Sequence, residues 1–155
     1  MPTEYTLEKF SSGMHYIMLD AKTVKAITKN GNKRAICLLN GLESIHCAIM
    51  PKKEGGHYIN IGAAVCKKLK IKVGAIVTAK FTIDQSTYQF EMPEEFAEVL
   101  AADPEANQVF HALTEGNQRG LIYLVSKLKS SDKRIDKALA IAEKIKRGII
   151  SPRNI

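Results

Sequence analysis

The sequence is poor in aromatic residues: it contains no tryptophan, and phenylalanine and tyrosine together make up only 6% of its 155 residues. Within the lysine-rich stretch of residues 52–72, Tyr58 is the one Phe, Tyr or Trp. Proteins that bind single-stranded nucleic acids without sequence preference stack bases on interleaved aromatic side chains. The lysine-rich stretch by itself therefore lacks the aromatic side chains of such an interface.

Long hydrophobic segments are also missing. Uncharged runs, such as residues 35–42 and 120–126, are far shorter than the roughly 20 apolar residues that a membrane-spanning helix needs. The first ten residues include Glu4 and Glu8 and have no apolar core, which is not the pattern of a secretory signal peptide. We therefore expect a cytoplasmic protein without a membrane span.

The spacings of common metal and catalytic sites are absent too. Cys37, Cys47 and Cys66 form no Cys-x-x-Cys pair and lie in apolar segments, the pattern of buried, reduced thiols. No His-x-x-x-His, Asp-x-Asp or Gly-x-Ser-x-Gly motif occurs, and the alternation of a strand sends His46 and Cys47 to opposite faces. The sequence predicts no metal site, no cofactor and no catalytic residue. A pairing of Cys47 with a histidine on another strand is neither required nor excluded by the spacing.

What the chain does have is charge, and this charge is unevenly distributed. Its 23 Lys and Arg against 16 Asp and Glu give a net charge of +7. Residues 1–90 hold 13 basic and 6 acidic residues, residues 91–118 hold 7 acidic and no basic residues, and residues 119–155 hold 10 basic and 3 acidic residues. Such segregation bears on partners and on internal docking rather than on fold.

The N-terminal half has the two-residue period of β-strands. Asn40-Gly41 is a hairpin signal, and Gly74 marks a turn in which a positive φ is cheap. A short helix over residues 63–70 is expected before Gly74, and Asp20 is a good N-cap for another over residues 21–28. The predicted extended segments are residues 5–10, 14–19, 34–39, 44–50, 57–61, 77–83 and 87–92.

From Pro93 onward, helical spacing replaces the strand pattern. Asp103 is the expected N-cap of a helix with Pro104 at its first position. Residues 114–117 are read as a break, the next helix covers residues 118–128, and residues 130–132 cap the last helix. The apolar positions of that last helix are Ile135, Ala138, Leu139, Ala142 and Ile145.

Strands first and helices after, without βαβ alternation, predict an α+β protein with segregated parts. Five or six of the extended segments, taken as strands, favour a small closed or half-closed β-barrel in residues 1–90. A bundle of short helices is then expected in residues 91–155. We take these two ranges as two domains.

Motifs in the first half resemble DUF1905, a bacterial domain of unknown function that folds as a small β-barrel. The matching runs are Met-His-Tyr-Ile at residues 14–17, Gly-Gly-His-Tyr-Ile-Asn-Ile at residues 55–61 and Lys-Lys-Leu at residues 67–69. The strand–helix–glycine–strand unit is also similar to the barrels of AbrB-type transcription regulators. Those regulators usually have Gly-Asp at this turn, whereas here Gly74 is followed by Ala75.

Motifs in the second half resemble the helical YdeI/OmpD-associated, bacteriocin-protection family, which commonly follows this barrel. The matching runs are Pro-Glu-Glu-Phe at residues 93–96, Ala-Ala-Asp-Pro-Glu-Ala at residues 101–106 and Lys-Arg-Ile-Asp-Lys-Ala-Leu at residues 133–139. The family's Ala-Lys and Thr-Arg pairs before the last run are absent here. The resemblance implies a role in stress or bacteriocin protection.

Two sets of residues are candidates for binding. His57, Tyr58 and Asn60 are placed to line the mouth of the expected barrel, where a small ligand would enter. The other set is a basic patch for an anionic partner such as a nucleic acid, or a solvated face. It consists of Lys52, Lys53, Lys67, Lys68, Lys70 and Lys72.

These observations favour a bacterial, non-enzymatic binding or stress-protection module. Two alternatives from other classes stay open. One is a nucleic-acid-binding barrel of the AbrB type, which would bind with salt-dependent affinity. The other is an enzyme or small-ligand binder that uses the barrel mouth.

Overall fold

A computed structural model describes residues 2–155, and the chain divides into two compact units. Unit 1 ends at Gln85, and unit 2 covers Ser86–Ile155. All strands of the described residues lie in unit 1, and unit 2 is helical. The predicted order of strands followed by helices, and with it the α+β class, is therefore confirmed.

Unit 1 combines short strands with two seven-residue helices. Its strands are β1 (Thr3–Thr6), β2 (Glu8–Lys9), β3 (His15–Met18), β4 (Arg34–Leu39), β5 (Glu43–Ala48), β6 (Met50–Pro51), β7 (His57–Ile61) and β8 (Ile76–Ile83). Its helices are α1 (Ala21–Ile27), a 3-10 turn (Lys29–Gly31) and α2 (Ala63–Leu69). Asp20 is the N-cap of α1, as predicted, because its carboxylate accepts a hydrogen bond from the Thr23 amide.

The strands form two four-stranded antiparallel sheets. Sheet I has the order β1-β8-β4-β5, and sheet II has the order β2-β3-β7-β6. In sheet I the predicted Asn40-Gly41 hairpin joins β4 to β5, and both of its residues have positive φ, 51° and 65°. In sheet II the pairing sets Tyr16 opposite Asn60 and Met18 opposite Tyr58.

Neither sheet closes on itself, so the expected closed barrel is corrected to two open sheets. The physical reason is that strand pairing stops at two corners: a strand leaves one sheet and enters the other after a single residue, and among the described residues no strand of one sheet pairs with a strand of the other. At Leu7, between β1 and β2, the amide donates to the Ala75 carbonyl and the carbonyl accepts from the Gly74 amide. At Ile49, between β5 and β6, the amide donates to the Lys33 carbonyl. The first predicted strand, residues 5–10, is thereby divided in two.

The apolar faces of the strands and helices of unit 1 meet in one core. Leu7, Ile17, Leu39, Ile59 and Ile61 are fully buried there. Val65 and Leu69 of α2 pack against the same core with Cys66, as their spacing predicts. The extended segment predicted at residues 87–92 is not a strand, because Gln89 has a φ of 52°, outside the β region.

Unit 2 consists of four α-helices and a C-terminal 3-10 helix. They are α3 (Glu94–Ala102), α4 (Pro104–Ala112), α5 (Glu115–Ser126), α6 (Ser131–Lys146) and the 3-10 helix (Pro152–Asn154). Phe96 of α3 and Phe110 of α4 meet edge to face at 5.3 Å, in a core completed by Leu121, Ile122 and Ile141. The predicted caps Asp103 and Ser130 accept hydrogen bonds from the amides of Ala106 and Lys133.

None of the helices within residues 2–155 has both the length and the apolar character needed to cross a membrane.

Candidate binding surfaces

The outer face of sheet II carries a cluster of three aromatic side chains. Strand alternation points Ile17 and Ile59 into the core and leaves Tyr16, Tyr58 and Asn60 on the opposite side. Phe10, which follows β2, joins them. The rings of Phe10 and Tyr16 stack with centroids 3.9 Å apart, and Tyr58 meets them edge-on at 5.1 and 5.6 Å. We call this surface the aromatic face.

A lysine and two methionines border the aromatic face. The Lys52 ammonium lies 5.9 Å from the Tyr16 ring centroid, within cation–π range. Met18 and Met50 are the register partners of Tyr58 on the two neighbouring strands. Phe10 and Tyr58 are each partly exposed, whereas Tyr16 beneath them is buried. The face therefore offers an apolar ring surface with a cation at its edge.

The three predicted ligand-binding residues do not converge on one site. Tyr58 and Asn60 share the aromatic face, but His57 alternates to the side of Ile59 and Ile61. The His57 carbonyl accepts a hydrogen bond from the Leu19 amide. This bond anchors the chain just after the end of β3. Phe10 and Tyr16 were not among the predicted site residues, although the period of two would have placed Tyr16 on the same side as Met18.

The six predicted patch lysines lie in two separate segments of unit 1. Lys52 and Lys53 follow β6, whereas Lys67 and Lys68 end α2. Lys70 caps that helix with a left-handed φ of 56°, and Lys72 follows in the next turn.

Two of these lysines are engaged with carboxylates. The Lys52 ammonium lies 3.0 Å from a Glu54 carboxylate oxygen, and the resulting hydrogen bond raises the pKa of Lys52. The Lys68 ammonium lies 2.6 Å from a Glu43 carboxylate oxygen. These pairs reduce the charge that the patch offers to an anionic partner.

The three cysteines are buried, and His46 is paired with a carboxylate. Burial raises the pKa of the Cys47 thiol to about 12, and its sulfur donates to the Ala35 carbonyl. Burial likewise raises the pKa of Cys37 and Cys66. His46 contacts Asp84 at 2.6 Å between Nδ1 and Oδ2, with the Asp84 carboxylate fully buried. The described residues contain no group of three or more His, Cys, Asp and Glu side chains arranged to hold a metal ion.

Asp20 and Tyr5 meet beside a depression of about 470 Å³ between α1 and β8. The Tyr5 hydroxyl donates to Asp20 Oδ1 over 2.5 Å. This hydrogen bond lowers the pKa of Asp20 to about 2. Burial, together with the same bond, raises the pKa of Tyr5 to about 12. The pair keeps a neutral phenol against an ionised carboxylate and ties β1 to the start of α1.

Unit 2 contains a groove of about 590 Å³ between α3 and α6, which we call the α3–α6 groove. Its apolar lining includes Ile135 and Leu139, which are 39% and 50% exposed although they belong to the apolar stripe of α6. Val99 and Ala102 of α3 and Ala142 of α6 extend this lining. Unit 2 buries only part of the apolar stripe of α6, and the rest of the stripe faces the groove.

The lining of the α3–α6 groove is also acidic. It contains four carboxylates, those of Glu95, Glu98, Asp103 and Glu143, and one ammonium, that of Lys146. Lys146 bridges Asp103 at 2.7 Å and Glu143 at 2.8 Å, which raises its own pKa and lowers that of Asp103. Arg134 lies 3.8 Å from Glu95. The lining therefore keeps a negative excess.

Comparison with known families agrees with the motifs seen in the sequence. Residues 5–81 match the family model of DUF1905, a domain of unknown function. Residues 89–148 match the family model OmdA, described as bacteriocin-protection, YdeI or OmpD-associated. Both resemblances and their order are thereby confirmed. No curated protein and no solved structure matches the chain.

Proposed function

Because the chain joins a DUF1905 domain to a domain of the bacteriocin-protection, YdeI or OmpD-associated family, we propose that it is a non-enzymatic binding and protection module. Its helical unit binds a basic, amphipathic peptide segment of a partner in the α3–α6 groove. The observation that carries this proposal is the pairing of exposed Ile135 and Leu139 with a carboxylate-rich lining.

The chemistry of the groove selects this class of occupant. Ile135 and Leu139 are four residues apart on one helix, so their side chains form a continuous apolar strip. An amphipathic segment would bury its apolar side chains on that strip, as in helix-in-groove recognition. Lysine or arginine on its other face would meet the carboxylates of Glu98 and Glu143. An acidic segment would be repelled by the same side chains.

The proposal is tested with a fluorescent amphipathic peptide of about 15 Lys and Leu residues, using anisotropy to measure its affinity. We expect Ile135→Ala and Leu139→Ala each to weaken binding roughly 5- to 50-fold, because buried apolar anchors dominate such interfaces. We expect Glu98→Gln to weaken binding less, with the largest effect at low salt. A peptide with Glu in place of Lys should not bind.

Matched controls lie on other helices of the same unit. Tyr123 on α5 is 55% exposed, and Glu105 on α4 is an exposed acid outside the groove lining. Tyr123→Ala and Glu105→Gln should leave the affinity unchanged. Equal affinity of wild type and Leu139→Ala, or equal losses in the controls, would show that the groove is not the site.

The proposed place of action is the bacterial cytoplasm, which the three free cysteines support because thiols stay reduced there. For unit 1 we propose that the two sheets work as one half-closed barrel. The corner strands at Leu7 and Ile49 support this, since each passes directly from one sheet to the other.

The two alternatives from other classes have less support. Duplex binding by the lysine patch is weakened by the ion pairs of Lys52 and Lys68. A ligand site at the barrel mouth is weakened by the separation of His57 from Tyr58 and Asn60. Neither duplex binding by the lysine patch nor a ligand site at the barrel mouth has a specific observation in its favour.

A further inference from the structure

The aromatic face gathers a large share of the few aromatic residues of this chain. Phe10, Tyr16 and Tyr58 are three of its ten Phe and Tyr residues, and they touch one another on one side of a sheet. The tyrosines stand on β3 and β7, the two central strands of sheet II. Phe10 and Tyr58 are partly exposed, and the main buried cluster of unit 1 lies on the opposite side of this sheet.

The ring geometry of the face is that of a stacking platform. Phe10 lies on Tyr16 at 3.9 Å with an interplanar angle of 19°, which is how a flat ring stacks on an aromatic side chain. Phe10 and Tyr58 remain partly exposed, so the stack has free surface for another flat ring. Asn60 is exposed opposite Tyr16 and offers amide donors and an acceptor beside that surface.

The charge around the face favours an anionic ligand, though only modestly. Unit 1 holds 13 Lys and Arg against 6 Asp and Glu, which gives it a positive field. Lys52 and Lys53 lie at one edge of the face, with Glu54 beside Lys52 and Glu8 opposite Tyr16. Because these carboxylates offset part of the local charge, binding would depend on ring stacking more than on phosphate contacts.

We propose that the aromatic face binds single-stranded nucleic acid, by stacking unpaired bases on Phe10 and Tyr58 while Lys52 and Lys53 contact the backbone phosphates. Bases in a duplex are already stacked and paired, so they are not available to these rings. This site is separate from the α3–α6 groove and does not depend on the function proposed for it.

The test is fluorescence anisotropy of the full chain with a labelled oligothymidylate of about ten nucleotides, a length within the site sizes of single-strand-binding OB folds. We expect binding of this strand, and binding of its duplex at least ten-fold weaker. Phe10→Leu and Tyr58→Leu keep apolar bulk and remove the ring, and each should weaken binding roughly 5- to 100-fold. With two phosphates contacted, log K should fall against log salt with a slope of about −1.4.

Two further measurements guard against misfolded variants. Tyr123→Leu removes an exposed tyrosine from unit 2 and should leave the affinity unchanged. Ultraviolet crosslinking of the wild-type protein, followed by mass spectrometry, should label peptides that contain Phe10 or Tyr58.

Four results would overturn the proposal. They are no binding to the single strand, equal binding to the duplex, crosslinks confined to α2, or unchanged affinity for the single strand in both Phe10→Leu and Tyr58→Leu.

Discussion

Gly74 holds the turn before β8 in a conformation that other residues resist. Its φ is +91°, and its amide donates to the Leu7 carbonyl over 2.7 Å at the corner between the sheets. A Cβ built there would meet no atom within 4 Å, so a substitution would cost backbone strain alone. We expect Gly74→Ala to lower the free energy of unfolding by about 1–2 kcal/mol.

The control for Gly74 uses the same position. Gly74→Asn should cost less than Gly74→Ala in urea denaturation, because asparagine enters the left-handed region more easily than alanine. Equal stability of the alanine variant and wild type would show that the positive φ is not required.

Tyr5 and Asp20 should make the stability of unit 1 depend on pH in two windows. The carboxyl pKa of Asp20 is lowered to about 2, so its contribution is present above its ordinary value near 4 and is lost as the pH falls toward 2. The phenol pKa of Tyr5 is raised to about 12, so its contribution is present below pH 10 and is lost as the pH rises toward 12.

Tyr5→Phe removes the hydroxyl and with it the hydrogen bond to Asp20. Near neutral pH the variant should be less stable by about 1 kcal/mol. The difference in melting temperature from wild type should shrink below pH 4 and above pH 10. A difference that stays constant from pH 3 to pH 11 would contradict the coupling.

At the scale of elements, α5 accommodates the C-terminal 3-10 helix through a missing side chain. A Cβ at Gly120 would lie 2.5 Å from Cγ of Pro152, so only glycine allows this approach. Gly120→Ala should therefore displace the segment at residues 151–155. The expected cost is about 1–3 kcal/mol from overpacking, offset in part by the higher helix propensity of alanine.

Gly116 on the same helix provides the comparison for Gly120. A Cβ at Gly116 has no neighbour within 4 Å, so Gly116→Ala should be neutral or stabilising by up to about 1 kcal/mol. In thermal unfolding, the melting temperature of Gly116→Ala should then be equal to or higher than that of wild type. The melting temperature of Gly120→Ala should be lower. Equal melting temperatures of the two variants would contradict the close contact.

Signals within a few residues, such as helix caps, predicted the helices and strands of this chain well. They did not predict the pairing of strands that are far apart in sequence. The caps Asp20, Asp103 and Ser130 were readable because a side chain there binds an amide only three residues away. The break predicted at residues 114–117 is instead the start of α5, capped by Thr114. Sheet closure was overestimated, since whether a sheet closes depends on pairing between strands far apart in sequence.

The candidate sites divide in the same way. Period-two alternation would have separated His57 from Tyr58 and Asn60, because neighbours on a strand face opposite sides. The stack of Phe10 on Tyr16 depends on how the turn between β2 and β3 places Phe10. The sequence does not show that placement. The exposure of Ile135 and Leu139 also depends on how α3 packs on α6, whereas helical spacing alone placed both in the apolar stripe.

On the scale of the whole molecule, the charge segregation has a structural counterpart within unit 2. The acidic stretch of residues 91–118 supplies three of the four carboxylates of the α3–α6 groove, those of Glu95, Glu98 and Asp103. Part of this charge is neutralised by Arg134 and Lys146 of the following basic stretch. The remaining negative charge lies beside exposed apolar side chains. This combination is the basis for proposing a basic amphipathic ligand.

The most direct measurement is a nuclear magnetic resonance titration of the isotopically labelled chain with the Lys and Leu peptide. We predict that the largest chemical-shift changes fall on residues of α3 and α6 that line the groove, including Val99, Ile135 and Leu139, with Tyr123 little affected. Changes concentrated on unit 1, or changes spread evenly over every acidic side chain, would contradict it.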